Sequence, residues 1–299
     1  DSLANRYVED AFKNKWQLLC HTNGDEAIEQ YLNAIEKAQE KYNYEDHRTV
    51  IIHGQTIRKD QIERAASLNV DASLFPMHTF YWGDWHVSSV LGHPRADYIS
   101  PCVDALAAGL NITSHHDAPV TFPNSMRVLD ATVNRVTRSG VILGPEQRLS
   151  AYQGLKTLTS WASHQYFEED TKGTLEKGKN ADFVILDKNP LKIDPLEIHN
   201  VKILESIHRG ENVYSAKRVS GGWSNAPVSE DVKEALAFVL NKNHSEAKLM
   251  KIVSAKKQVV NGMNYDITYS LANGETYKVV IYKTLSGDFS ITKAPEKIT

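Results

Sequence analysis

The sequence predicts an α/β protein: a partial (β/α) barrel of the TIM type with a small β-subdomain, then an α+β module with one helix on an antiparallel meander. Over the first two thirds of the chain, short apolar runs alternate with amphipathic segments. From Gly173 the pattern changes to short strands broken by Gly, Asn and Pro turns. After Ser229, one helical stripe precedes four strands separated by Asn-Gly or Ser-Gly pairs.

About four strand and helix units make up the predicted barrel region. Residues 24–42, for example, predict a helix because Ala27, Ile28, Tyr31 and Ile35 recur at helical spacing. The predicted strands are residues 16–21, which we expect to be buried, 49–53, 70–75 and 110–113, and the other predicted helices are residues 59–68 and 102–108.

Changes in composition divide the chain into four segments. The predicted segments are the barrel at residues 1–172, the β-subdomain at 173–216, a linker rich in Gly, Ser and Pro at 217–228 and the α+β module at 229–299. In the module we expect a helix at residues 229–240 and strands at residues 248–260, 263–272, 275–283 and 289–293.

Composition excludes several classes of protein. The net charge of -3 and the absence of long runs of one sign disfavour nucleic acid and anionic membranes as partners. No stretch approaches the ~20 apolar residues that span a bilayer. Cys20 and Cys102 are too few for a disulfide scaffold and suit a reducing compartment without proving one. The chain does not begin with Met, so a targeting segment can precede it and the localisation stays open.

Three candidate metal ligands stand at the carboxyl ends of predicted parallel strands: His21, His53 and Asp117. In barrel enzymes the loops at this end converge on the active site. Imidazoles and a carboxylate are ligands of catalytic Zn²⁺, and a carboxylate beside the bound water can act as general base. With 12 histidines in the chain, however, two at strand ends can arise by chance and simply bond to loops. The spacing alone leaves both interpretations open.

Four segments resemble the second half of amidohydrolase family 3, which includes N-substituted formamide deformylase. They are CHTNGDEAIEQYLNAIE, HGQTIRKDQIERAASLNVDASLFPMH, SHHDAPVTFPNSMRVLDATVNRVTR and LGPEQRLSAYQGLKTLTSWAS, followed by GTLEKGKNADFVILDKNPL. The resemblance covers about residues 10–215. It implies a hydrolase of non-peptide carbon-nitrogen bonds in small amide-type substrates, with one or two divalent ions, Zn²⁺ expected, on His21, His53 and Asp117. Asp117 is also the implied general base, and His115 and His116 are implied neighbours of the metal or loop residues.

The chain departs from that family where the first half of the barrel is expected. Neither the family's His-x-His pair nor its middle-strand ligand can be placed, and a complete barrel needs ~250 residues. We therefore expect an unpaired sheet edge, a metal centre short of ligands and no turnover from this polypeptide alone. A second chain or a longer gene product would supply the missing half, and an inactive fragment stays an alternative.

An aromatic segment, HTFYWGDWHVSSVLGHP, follows the third predicted strand. It contains His78, His86 and His93 and is expected to be a loop. Such a loop either lines a substrate pocket, with His78 as a candidate pocket residue, or packs against the core.

The end of the chain resembles a cystatin, the inhibitor of papain-like cysteine proteases. Gln258, Val260 and Gly262 fit the family's Gln-x-Val-x-Gly hairpin, and Gly222 fits its flexible N-terminal glycine. A tight hairpin and an extended strand can fill a protease cleft without offering a bond for attack. The family's second hairpin carries Pro-Trp, whereas this chain has TLSGDF, which removes a large apolar contact. Protease inhibition and an accessory role for the module therefore both stay open.

Overall fold

The computed structural model describes residues 2–216, 222–244 and 246–298. The chain forms two compact units, Asp1–Ala216 and Lys217–Thr299. Residues 217–221 of the predicted linker lie outside the described residues. None of the helices in the described part is long and apolar enough to cross a membrane.

The first unit contains a four-stranded parallel sheet in the order β1-β2-β3-β4. Its strands are β1 (Leu19–Thr22), β2 (Val50–His53), β3 (Asp71–Leu74) and β4 (Ile112–Ser114). The helices are α1 (Ser2–Lys13), α2 (Asp25–Lys41), α3 (Lys59–Ser67), α4 (Met77–Trp85), α5 (Cys102–Ala107), α6 (Ser125–Asn134), α7 (Ala151–Thr157) and α8 (Ser160–Gln165). Each strand is followed by at least one helix, as the alternation of patterns predicts, and four parallel strands are half of an eight-stranded barrel.

The main core of the first unit lies between this sheet and its helices. α2 contributes Ile28, Leu32 and Ile35, which are fully buried on one stripe. These residues pack with strand residues such as Ile51 and Ile112. Because parallel strands need cover on both faces, the central strands β2 and β3 are almost completely buried.

The strand predicted to be buried at residues 16–21 is the exposed edge of the sheet. β1 pairs only with β2 among the described strands, and Leu19 is 40% exposed. The prediction of burial is wrong because an apolar run indicates that a strand can be buried, whereas burial also requires a neighbour on each side. β1 therefore presents backbone groups and apolar side chains where a barrel would continue.

The segment predicted to be a loop after the third strand is helical. α4 runs directly into a π-helical turn, His86–Val90. Phe80, Tyr81 and Trp82 pack against a cluster that contains Phe75 and Val128. The aromatic side chains thus stabilise a helix by packing, which the expectation of a loop overlooked.

A small antiparallel sheet follows in the first unit, in the order β5-β6-β7. Its strands are β5 (Phe183–Leu186), β6 (Ile203–His208) and β7 (Glu211–Ser215). A 3₁₀ helix, Pro195–Asn200, lies between β5 and β6. The sheet falls within residues 173–216, where the sequence predicts a β-subdomain, and the boundary at residue 172 stays a prediction.

The second unit is an antiparallel sheet in the order β12-β11-β10-β9-β8 with one helix. The elements are β8 (Trp223–Asn225), α9 (Glu230–Asn243), β9 (Leu249–Val260), β10 (Gly262–Leu271), β11 (Thr276–Lys283) and β12 (Phe289–Lys297). Val232, Leu236 and Val239 of α9 are buried with Ile267 and Ile281. The predicted helix and meander are present, and β8 shows that part of the segment predicted as a linker is a strand.

Candidate metal centre

Parallel strands bring the candidate ligands to one edge of the sheet. His21 lies in β1, His53 is the last residue of β2, and His115 and Asp117 follow directly after β4. All four residues therefore come from the carboxyl end of the sheet, which is where (β/α) barrels hold their active sites.

His53, His115 and Asp117 form the group of side chains that could hold a metal ion in the described part of the chain. One ligand atom from each lies within 4.8 Å of the other two. The closest pair is His53 Nδ1 and His115 Nε2, which are 3.1 Å apart. Two nitrogen ligands of a tetrahedral Zn²⁺ with bonds of about 2.0 Å are separated by about 3.3 Å. Two imidazoles and a carboxylate at this spacing fit a divalent ion.

Unusual backbone conformations place two of these ligands. His53 has a φ of 75° and Asp117 a φ of 54°, both in the left-handed region that non-glycine residues rarely adopt. Gly54 continues the left-handed turn with a φ of 53°, and its N–H donates to the carbonyl of Thr22 at 3.1 Å. Conformations of this kind cost free energy and are concentrated at functional sites.

A hydroxyl group contacts the ring nitrogen of His115 that faces away from His53. Its Nδ1 lies 2.9 Å from Ser73 Oγ in β3, so its Nε2 faces His53. The His115 ring also stacks on Phe75, with centroids 5.1 Å apart and an angle of 10° between the planes. Contacts on the far nitrogen of a ligating imidazole select its tautomer and its orientation.

His21 lies beside this group without belonging to it. Its ring is 4.5 Å from the His53 ring, centroid to centroid, at an angle of 77°. His21 Nε2 is 3.5 Å from Asn23 Nδ2, and the residue is exposed because β1 is the edge of the sheet. The sequence predicts His21, His53 and Asp117 as ligands. The structure places the His21 ring against the His53 ring, and it groups His53 and Asp117 with His115 rather than with His21.

Burial keeps the central imidazoles neutral. It lowers the pKa of His115 to about 3, with repulsion from His53 and His116 as smaller causes. Burial also lowers the pKa of His53, although the Asp117 carboxylate partly opposes this shift. A neutral imidazole has a free lone pair, which is the form that coordinates metals.

The other two predicted pocket residues lie near the centre in different environments. His78, in α4, is 7% exposed and its ring centroid is 5.9 Å from that of His53. Burial lowers the pKa of His78 to about 3. His116 Nδ1 instead accepts a hydrogen bond from the N–H of Ala118 at 3.3 Å, which is the loop contact that the sequence allowed for. Their roles in a substrate pocket stay predictions.

Ser73 is a site residue that sequence reasoning missed. It is a polar residue inside the apolar run at residues 70–75. This interruption of the apolar pattern is the feature of the sequence that could have identified Ser73 as a site residue. A serine in a buried strand needs a hydrogen-bond partner, which here is His115.

The predicted protease-binding residues lie in the second unit. Gln258 Oε1 accepts a hydrogen bond from Asn264 Nδ2 at 2.8 Å across the β9-β10 hairpin. Val260 is 41% exposed, and Gly262 has a φ of 123°. Gly222 directly precedes β8, whose Trp223 pairs with Gln258. The four residues therefore lie in or beside the three strands β8, β9 and β10.

The next hairpin lies beside this one. The Tyr282 hydroxyl donates to the carbonyl of Asn261, so the β9-β10 and β11-β12 turns lie at the same end of the sheet. At the second turn Leu285 is 84% exposed, in the hairpin that lacks the expected tryptophan. Two adjacent tips with exposed apolar side chains are suited to insertion into a cleft.

A comparison with protein families gives residues 1–214 as a match to the amidohydrolase family. The chain belongs to the amidohydrolase family. The chain is 26% identical to the YtcJ protein of Bacillus subtilis (strain 168) over 72% of its own length and 40% of that protein. It is 25% identical to N-substituted formamide deformylase of Arthrobacter pascens over 63% of its own length and 35% of that enzyme. It spans less than half the length of these relatives.

A solved structure supports the fold of this member of the amidohydrolase family. A metal-dependent hydrolase from Pyrococcus horikoshii matches with a TM-score of 0.56 and 25% identity, over 65% of this chain and 38% of that one. Residues 221–294 match the cystatin domain. The resemblances to the two families that the sequence indicated are thus confirmed.

Proposed function

We propose that the first unit is the second half of a metal-dependent hydrolase that cleaves non-peptide carbon-nitrogen bonds in small amide-type molecules. The observation that carries this proposal is the group His53, His115 and Asp117 at the carboxyl end of a parallel sheet. Membership of the amidohydrolase family and the likeness to a metal-dependent hydrolase support it. Zn²⁺ is the ion we expect, as one or two ions, with His21 as a further ligand.

Asp117 has the chemistry that such a reaction needs. A bound divalent ion would lower the pKa of a water molecule at the site and polarise the substrate carbonyl. With an ion bound, the Asp117 carboxylate would be placed to accept a proton from a water molecule and to return it to the leaving nitrogen, so that the carbon-nitrogen bond would break without release of an amide anion. His53 and His115 would hold the ion through their imidazole nitrogens.

The exposed edge of the sheet supports a partner for this half of the barrel. A groove of about 680 Å³ runs beside β1 and is lined by apolar residues that include Tyr7, Trp16 and Leu18. Trp16 is 62% exposed. A parallel strand added to β1 would cover this surface and bring ligands from the opposite side of the barrel. We propose that the active enzyme contains such a first half, on a second chain or in a longer product.

The experiment reconstitutes the barrel. The part of the Bacillus subtilis YtcJ protein that lies outside its match to this chain is co-expressed with this 299-residue chain, and hydrolysis of an N-substituted formamide is followed with added Zn²⁺. We expect turnover only when both halves and metal are present, and a loss of at least about 100-fold with Asp117→Asn, which removes a general base. A co-purified, zinc-loaded complex that hydrolyses nothing in a panel of N-acyl amides would contradict the proposal.

A second function, inhibition of papain-like cysteine proteases, is favoured by the adjacent hairpin tips of the second unit. Val260 and Leu285 present apolar side chains at these tips, and the match to the cystatin domain supports the proposal. Titration of papain with the full chain tests it. We expect stoichiometric inhibition that Leu285→Asp weakens and that Met250→Asp, at an exposed residue of β9 remote from the tips, leaves unchanged. If micromolar concentrations of the chain do not inhibit papain, the second unit is an accessory domain.

A further inference from the structure

His115 uses both ring nitrogens in a way that suits a metal ligand. Nδ1 contacts the Ser73 hydroxyl at 2.9 Å, and Nε2 faces His53 Nδ1 at 3.1 Å. The resemblance at the sequence level assigned this residue only a place near the metal. In the structure one ligand atom of His115 lies within 4.8 Å of ligand atoms of both His53 and Asp117, and His21 does not belong to this group.

We infer that His115 is a metal ligand and that His53, His115 and Asp117 together bind a divalent ion in this chain without the first half of the barrel. The inference rests on the proposed metal centre and extends it to a residue outside the predicted ligand set. Catalytic Zn²⁺ sites commonly have three protein ligands and one open position. The three donors found here supply that number from the carboxyl ends of β2 and β4 of one polypeptide.

Ser73 is the positioning residue of this arrangement. When His115 Nδ1 carries the proton, it donates to Ser73 Oγ, and the lone pair of Nε2 is left for the ion. Stacking on Phe75 also restricts rotation of the His115 ring. A ligand whose tautomer and orientation are set in advance binds metal with a smaller loss of conformational freedom.

The competing explanation is that His115 and His53 only hydrogen-bond to each other. One imidazole would then donate to the other across the 3.1 Å separation. In that case, removing His115 would change the stability of the fold. The affinity for metal would stay the same, because His21, His53 and Asp117 would be the ligands. The two explanations therefore predict different metal affinities for His115 variants.

The test measures Zn²⁺ binding by calorimetry and the visible absorption spectrum of bound Co²⁺, with the full 299-residue chain. We expect one ion per chain, at least a tenfold loss of affinity in His115→Ala, and about a tenfold loss in Ser73→Ala. Ser73→Thr, which retains the hydroxyl, should restore most of the affinity. His208→Ala is the matched control, because that histidine is 60% exposed in the small β-sheet.

Each result is decisive for the inference. Binding that His53→Ala abolishes and His115→Ala leaves unchanged overturns the role of His115 while the proposed centre stands. A wild-type chain that binds no ion overturns binding by this half alone, and the reconstituted barrel still tests the hydrolase proposal separately. Circular dichroism and urea denaturation of each variant identify any loss of affinity that is caused by unfolding. If His115→Ala is unfolded, His115→Gln replaces it, because glutamine is a polar side chain of similar length.

Discussion

Arg135 shows how a single buried side chain supports the candidate centre from a distance. It is fully buried, and burial lowers the pKa of its guanidinium. The guanidinium donates to four backbone carbonyls, those of Leu143 (2.7 Å), Ser100 (3.1 Å), Asp97 (3.2 Å) and Ile99 (2.8 Å). The N–H of Ser100 in turn donates to the carbonyl of Gln55, two residues after His53. Arg135 therefore helps to fix the loop that carries a candidate ligand.

We predict that Arg135→Leu lowers the free energy of unfolding of the first unit by about 3 kcal/mol, because buried carbonyls lose their partners. Urea denaturation followed by circular dichroism measures this change. Arg138→Leu is the control, since that arginine is exposed against aromatic rings, and should change stability by less than about 0.5 kcal/mol. Equal effects of the two substitutions would show that the carbonyl contacts of Arg135 contribute little.

At the scale of the element, the β9-β10 hairpin differs from the turn that its Asn-Gly pair predicts. A two-residue turn of that type has positive φ at both positions. Here Gly262 has a φ of 123° and Asn261 is not among the residues with positive φ. The neighbouring hairpin accounts for the glycine, because a Cβ at position 262 would lie 2.4 Å from the carbonyl oxygen of Lys283. Gly262 is thus required for close approach between strands as well as for its backbone conformation.

We predict that Gly262→Ala destabilises the second unit by about 1–3 kcal/mol and increases amide hydrogen exchange in β9 and β10. Hydrogen exchange followed by mass spectrometry locates the effect. Gly274→Ala is the matched control, because it has a φ of 88° but open space around its Cβ. The clash explains the requirement for glycine only if Gly262→Ala costs clearly more than Gly274→Ala.

Across the whole molecule, several buried histidines make stability depend on pH. His47 is fully buried, its Nδ1 accepts from the N–H of Thr49 at 3.0 Å, and its Nε2 donates to the carbonyl of Leu68 at 3.0 Å. Burial lowers the pKa of His47 below its usual value. As the pH falls below about 6.5, the unfolded chain binds a proton that the folded chain does not. The stability that neutral His47 contributes is therefore present above this pH and is lost on acidification.

We predict that the free energy of unfolding of the first unit falls as the pH is lowered from 7 to 5, and that His47→Gln makes this slope shallower. Urea denaturation at a series of pH values, with a chelator present, measures the slope. His208→Gln, at an exposed histidine, should leave it unchanged. A slope that is the same in wild type and His47→Gln would assign the pH dependence to other groups.

The order of the elements was largely predictable from the sequence, whereas the direction of the candidate ligand side chains was not. Helical and strand periodicities located the four β/α units and the meander, because these patterns depend on neighbours a few residues apart. They did not predict α4 or the exposure of β1, since both depend on packing against distant segments. For the same reason, periodicity could locate His115 after β4 without predicting its contact with Ser73.

The sequence by itself determined the succession of parallel strands, the placement of His21, His53 and Asp117 at their ends, and the hairpins of the second unit. Only the tertiary structure decided which donors meet. His53 and His115 are 62 residues apart in the chain, and their contact depends on the left-handed backbone conformation of His53 and on a hydroxyl group from β3. The physical reason is that local patterns set backbone periodicity, whereas the direction of a side chain beyond a strand end is set by partners remote in sequence.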